Sequence, residues 1–167
     1  MSRNPNEIYE SLELLLKHVN DVFVDAEVDL PERQYIIAGN EEEATHEAES
    51  VVVSFAQLQA TDGNIGNPLQ EPARCDAIWA VVAAVSIVRC VPTFSQERGQ
   101  RGQAPSPEDM NAAAKIHIAD ASLLMDAGLK FGEVVWEFGP GVLADVAMGP
   151  ISGGFSQTTL SILYGIV

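Results

Sequence analysis

Pro150-Ile151-Ser152-Gly153-Gly154 comes nearest to a nucleophile motif in this 167-residue chain. A serine elbow is written G-x-S-x-G, with the serine on a sharp strand-to-helix turn. Here the first glycine is replaced by Pro150. Gly139-Pro140-Gly141 has neither the third glycine nor the strand-turn-helix setting of a dinucleotide site. Glu41, Glu42, Glu43, His46 and Glu47 offer metal donors, but adjacent acids on one loop fix no coordination geometry. Asp62-Gly63-Asn64 lacks the spaced ligands and closing bidentate glutamate of a calcium loop. Two cysteines, Cys75 and Cys90, and three scattered histidines, His18, His46 and His117, are too few and too dispersed for a structural zinc site. No nucleophile, base and orienting group come together. The residues therefore predict a protein that is not an enzyme and uses no cofactor or metal. The cysteines are expected as thiols and Trp79 and Trp136 as core residues, with His18 and His117 partly buried on helices.

Charge is the more informative property. Twenty-four acids against nine bases give a net charge of −15. The segment 25–49 holds nine acids (Asp25, Glu27, Asp29, Glu32, Glu41, Glu42, Glu43, Glu47 and Glu49) and one base, Arg33, so more than half of the excess sits there. Affinity for nucleic acid comes from lysine and arginine releasing counterions from phosphates, so this chain is not expected to cling to DNA. The acidic segment reads either as a solvated loop that aids solubility or as a surface that faces DNA without holding it. A hydrophobic content of 47% with 20% charged residues is that of a globular chain. Its length suits one domain, 1–167. No apolar run approaches the roughly 20 residues that cross a bilayer, and the first residues lack the layout of a secretion signal. A cytosolic site of synthesis and no membrane partner are expected.

The elements that would position these residues follow from periodicity. Asn4 as cap, Pro5 in the first turn and Glu7 three residues after the cap open a helix. Ile8, Leu12, Leu15, Val19 and Val22 recur at helical spacing, and Leu14, Leu16 and Phe23 widen the stripe. Asp29-Leu30-Pro31 ends that pattern. Gln34 to Ala38 is a short strand. From Glu47 to Ala60 the chain alternates, with Val51, Val53 and Phe55 on one side and Ser50, Val52, Ser54 and Ala56 on the other. Cys75 to Val91 is alanine-rich, which suits a buried helix, but its β-branched residues and Pro92 favour a long central strand. Ser106 caps a second helix with Pro107 in its first turn, and Gly128 is expected to end it, with Leu129 folding back onto Leu124. Glu133 to Phe138 then reads as a strand with Val134, Trp136 and Phe138 inward, and Thr158 to Tyr164 as another with Leu160, Ile162 and Tyr164 inward. Loops are expected near 39–47, 61–74, 93–105 and 139–155. The order α-β-β-β-α-β-β implies an α+β fold, a mixed sheet with both helices on one face.

Taken together, five features resemble the tail-terminator (head-to-tail connector) proteins of long-tailed phages that infect actinobacteria. They are the capped first helix leading into Asp29-Leu30-Pro31-Glu32-Arg33-Gln34-Tyr35-Ile36-Ile37-Ala38-Gly39, the Val51-Val52-Val53 strand, the segment from Cys75 through Ile87-Val88-Arg89-Cys90-Val91-Pro92, the Ser-Pro-Glu-Asp helix start, and the closing loop with Gly153-Gly154 and its strand. The resemblance spans nearly the whole chain but rests on layout, with no short site motif to carry over. It implies a mixed sheet backed by two helices in a structural virion protein at the head–tail junction, assembled in the host cytoplasm as a homo-oligomeric ring, a hexamer. Such a ring caps the tail tube, ends its polymerisation and docks the neck or connector protein, while DNA passes through without specific binding. On that view Glu41, Glu42, Glu43, Glu47 and Glu49 form an acidic surface facing the channel or the ring, and Arg98 and Arg101 a basic loop at a subunit interface. The alternatives are another neck or tail-tube subunit, and an acidic DNA mimic that inhibits a basic enzyme. A metal-dependent hydrolase comes last.

Overall fold

The computed structural model describes residues 6–39, 48–61, 78–93, 102–135, 142–151 and 154–166. Two helices and five strands follow one another as α1 (Asn6–Asp25), β1 (Gln34–Ala38), β2 (Ser50–Thr61), β3 (Ile78–Cys90), α2 (Pro107–Val135), β4 (Leu143–Ile151) and β5 (Phe155–Ile166). This is the expected α+β order. The strands form one mixed sheet, β1-β2-β3-β5-β4. β1 runs parallel to β2, and every other neighbouring pair is antiparallel.

Register sorts the strand residues into two faces, because side chains of paired residues lie on the same side. One face carries the rows Gln34–Val51–Ile87–Thr158–Met148, Ile36–Val53–Val85–Leu160–Val146 and Ala38–Phe55–Ala83–Ile162–Ala144. Both helices pack here. Leu12, Leu15, Val19, Val22 and Phe23 of α1 and Leu124, Ala127 and Phe131 of α2 are buried in one cluster with Val51, Val53, Val81, Val85, Ile87, Leu160 and Tyr164. The expected alternation of β2 holds up to Phe55. The register then shifts between Phe55 and Gln57, so Leu58 pairs with Val81 and returns to the core face. β3 is the central strand, as its β-branched residues require.

α1 stops before the proline that was expected to stop it. Val28 donates its backbone N–H to Phe23 O and Glu27 donates to Val24 O, each at 3.0 Å. Glu27 takes the left-handed conformation, φ 56°, at the position glycine usually fills. The Asn4 cap and Pro5 lie outside the described residues. At α2 the expected cap is present, with Asp109 N–H donating to Ser106 Oγ at 3.1 Å.

The far end of α2 corrects the sequence reading. The helix does not end at Gly128 but continues through Gly132 to Val135. Both glycines serve close packing. A Cβ on Gly128 would meet the Leu160 methyls at 3.2 Å, and one on Gly132 would meet Val142 Cγ2 at 2.7 Å. Leu129 is 53% exposed and so does not fold back into the core beside Leu124. The strand expected from Glu133 is helical as far as it is described, and Val134 points outward. Residues 136–138, Trp136 among them, lie outside the described residues. The fourth strand is instead β4, inside the stretch expected as the loop 139–155. Its Ala144, Val146 and Met148 alternate onto the core face, and Pro150 is tolerable on an edge strand. Trp79 is also corrected: it is 43% exposed rather than core.

Candidate assembly surface

The segment that resembles a serine elbow joins two strands. Ile151 pairs with Phe155 across it, and Gly154 sits at φ 81° in the turn. No helix follows, so the setting of an elbow is missing. Of the acidic residues singled out, Glu41, Glu42, Glu43 and Glu47 lie outside the described residues, as do Arg98, Arg101, His46, Cys75 and Asp62-Gly63-Asn64. Glu49 is described. Its Oε1 accepts the backbone N–H of Cys90 at 3.0 Å, so this carboxylate links the approach to β2 with the end of β3. Cys90 is a free, exposed thiol. His18 Nδ1 lies 2.9 Å from Leu14 O, and its ring meets Phe131 edge-on at 6.1 Å, which makes it a packed helix residue. His117 is half-buried on α2. Among the described residues no group of three or more metal-ligating side chains converges.

What the sequence reading missed is a buried ion pair. Arg89 Nε donates to Asp120 Oδ2 at 2.6 Å and Arg89 Nη2 to Asp120 Oδ1 at 2.9 Å. The same Nη2 donates to Asp29 O at 2.8 Å. Asp120 is fully buried. This two-pronged contact ties β3, α2 and the α1–β1 connection together in a fixed geometry. The sequence signals it twice. Arg89 is the one charged residue of β3, and Asp120 falls on the helical spacing of the buried residues Leu124, Ala127 and Phe131.

A second polar link crosses the core. Ser11 Oγ donates to Ile8 O at 2.6 Å and therefore accepts from the Tyr164 hydroxyl at 2.7 Å. Burial pushes the Tyr164 phenol up from 10.0 to about 12, and the Ser11 bond only partly opposes that. A third link, a reciprocal amide pair, joins Asn20 and Gln34, with Nδ2 to Oε1 at 2.9 Å and Nε2 to Oδ1 at 3.0 Å. It crosses a shallow, open groove of about 410 Å³ between α1 and β1.

The other face of the sheet is of a different kind. Its central rows are Val52–Ser86–Thr159–Ala147 and Ser54–Ala84–Ser161–Asp145. Ser86 and Thr159 hydroxyls bond to each other at 3.0 Å. No helix packs on this face among the described residues, and no lysine or arginine projects from its described strand positions. Arg89, on the opposite face, is already paired. Tyr35, Ile37, Val52, Val82, Val88 and Leu163 share this face, with Val52 and Val88 buried, so it mixes apolar and hydroxyl residues with one acid, Asp145, and no cation at its described strand positions to grip a phosphate. No protein-family model matches this chain, and no curated protein matches it either.

Proposed function

We propose that this chain is a structural subunit of a phage tail terminator, a ring that caps the tail tube and lets DNA pass. One observation carries the reading: a sheet covered by helices on one face and bearing no lysine or arginine at the described strand positions of the other. A surface of that kind beside DNA lacks the cations whose counterion release drives binding. The net charge of −15 acts in the same direction. The mixed sheet backed by two helices is also the fold that the resemblance implies. In this reading Glu41, Glu42, Glu43, Glu47 and Glu49 belong to the acidic surface, Arg98 and Arg101 to a subunit interface, and the tube protein and neck protein are the neighbours.

The test is mass by light scattering across a salt series, with and without purified tail tubes. Like charges brought together in a ring oppose association, and screening relieves this as the Debye length falls from about 30 Å at 0.01 M to about 10 Å at 0.1 M salt. Closed rings that appear as salt rises, or on tube ends, support the proposal. Long polymers of this chain alone would point to a tube subunit. A monomer that ignores tube ends but binds a basic nucleic-acid enzyme, and is released by salt, would point to the DNA mimic.

A further inference from the structure

We propose that the first three turns of α2, residues 107–118, form an arm that opens locally while the rest of the molecule stays folded, with the Arg89–Asp120 pair as its fixed root. The inference goes beyond the ring reading and does not rest on it. Register places the arm past the end of the sheet. Gly128 packs on Leu160 of β5. Eight residues earlier in α2, Asp120 meets Arg89, which pairs across the sheet with Ser156, four residues before Leu160. Eight helical residues and four extended ones each span about 12–14 Å, so α2 runs along β5. One further row remains in the sheet, Cys90–Phe155–Ile151, while α2 still has residues 107–119, about 20 Å of helix. On its other side α1 has ended at Asp25, and the chain behind it reaches the pair through Asp29 O.

Burial and bonding change at the same point. From Asp120 onward α2 buries a residue on nearly every turn, through Leu124, Ala127, Gly128, Phe131 and Gly132. From 107 to 118 every residue is exposed except the half-buried Ala113 and His117, and Met110, Ile116 and Ile118 all stand out into solvent. The bonds that hold these turns are their own helical ladder and the cap, with Asp109 N–H donating to Ser106 Oγ and Met110 N–H to Ser106 O, each at 3.1 Å. The buried Nδ1 of His117 has no partner among the described residues. A helix this short with no packed face is marginal in water. Opening also hydrates the His117 nitrogen that the closed arm leaves unpaired. At Asp120 the opening stops, because going further would break a buried, two-pronged ion pair.

Amide hydrogen exchange of the full chain, resolved by residue, tests this. After correction for intrinsic rates, amides 111–118 should exchange roughly 100-fold or more faster than amides 121–131, because local opening costs far less than global unfolding. Ala112→Gly with Ala114→Gly should speed exchange of the arm by roughly a further 15–30-fold, the combined helix-propensity difference of two glycines. The same variant should leave the urea midpoint and the 121–131 amides unchanged. Equal protection on the two sides of Asp120 would overturn the proposal, since α2 would then open as one unit. A lowered urea midpoint in the double-glycine variant would also overturn it, because the arm would belong to the global transition. So would an absence of any protection at 111–118, which would mean that these turns are not helical in solution.

Discussion

The two faces of the sheet are built differently. The helix-covered face holds Val51, Val53, Val85, Ile87, Leu160 and Tyr164 at essentially zero exposure, and Arg89, Asp120 and Tyr164 there are bonded to partners, whereas the buried Thr158 hydroxyl has none among the described residues. The helix-free face carries the mostly half-buried Ser54, Ser86, Thr159 and Ser161 beside the buried Val52 and Val88, and no cation at its described strand positions. Change at the buried positions of the first face should therefore be felt as unfolding, whereas change at the hydroxyl positions of the second should leave the fold intact.

Asp120→Ala should break that contrast most severely. It strands the Arg89 guanidinium beneath α2, and loss of one partner of a buried pair costs about 3–5 kcal/mol. Urea titration reads it directly, and a loss below about 1 kcal/mol would show that the pair is not what joins α2 to β3. Tyr164 gives the next largest effect, through pH. Its folded pKa of about 12 lies above the unfolded 10.0, so its contribution is complete below pH 10 and is lost as pH rises toward 12. At about 1.36 kcal/mol per pKa unit this amounts to roughly 2–3 kcal/mol, and the alkaline melting curve of Tyr164→Phe should lack that component. Gly132→Ala should cost about 1–3 kcal/mol by overpacking against Val142, with thermal melting as the readout. Ser161→Ala, on the helix-free face, should stay within about 0.5 kcal/mol of the parent.

The sequence disclosed those parts of the fold whose pattern has one dominant cause. Ile8 through Val22 keeps helical spacing because one face of α1 is buried, and β1 was legible to its ends because Pro31 and Gly39 bracket it. The second half of α2 was misread because glycine has two uses. Gly128 resembles a left-handed cap, whereas here it admits Leu160. Ending the helix there turned Glu133-Val134-Val135 into strand and left no reason to look for β4. Leu143 to Ile151 was obscured by Gly149 and Pro150, which an edge strand tolerates and a central strand does not. For the Arg89–Asp120 pair, local patterns mark each partner as a charge on a buried face, but the meeting of the two distant elements is not among them. Of the five acids expected to form an acidic surface, Glu49 lies among the described residues, and it bonds Cys90.

Electron microscopy of the purified chain mixed with tail tubes tests the central claim most directly. Our account predicts closed rings seated on one end of each tube, with tube length no longer increasing once they are bound. Tubes that continue to lengthen, with neither end occupied by this chain, would contradict it.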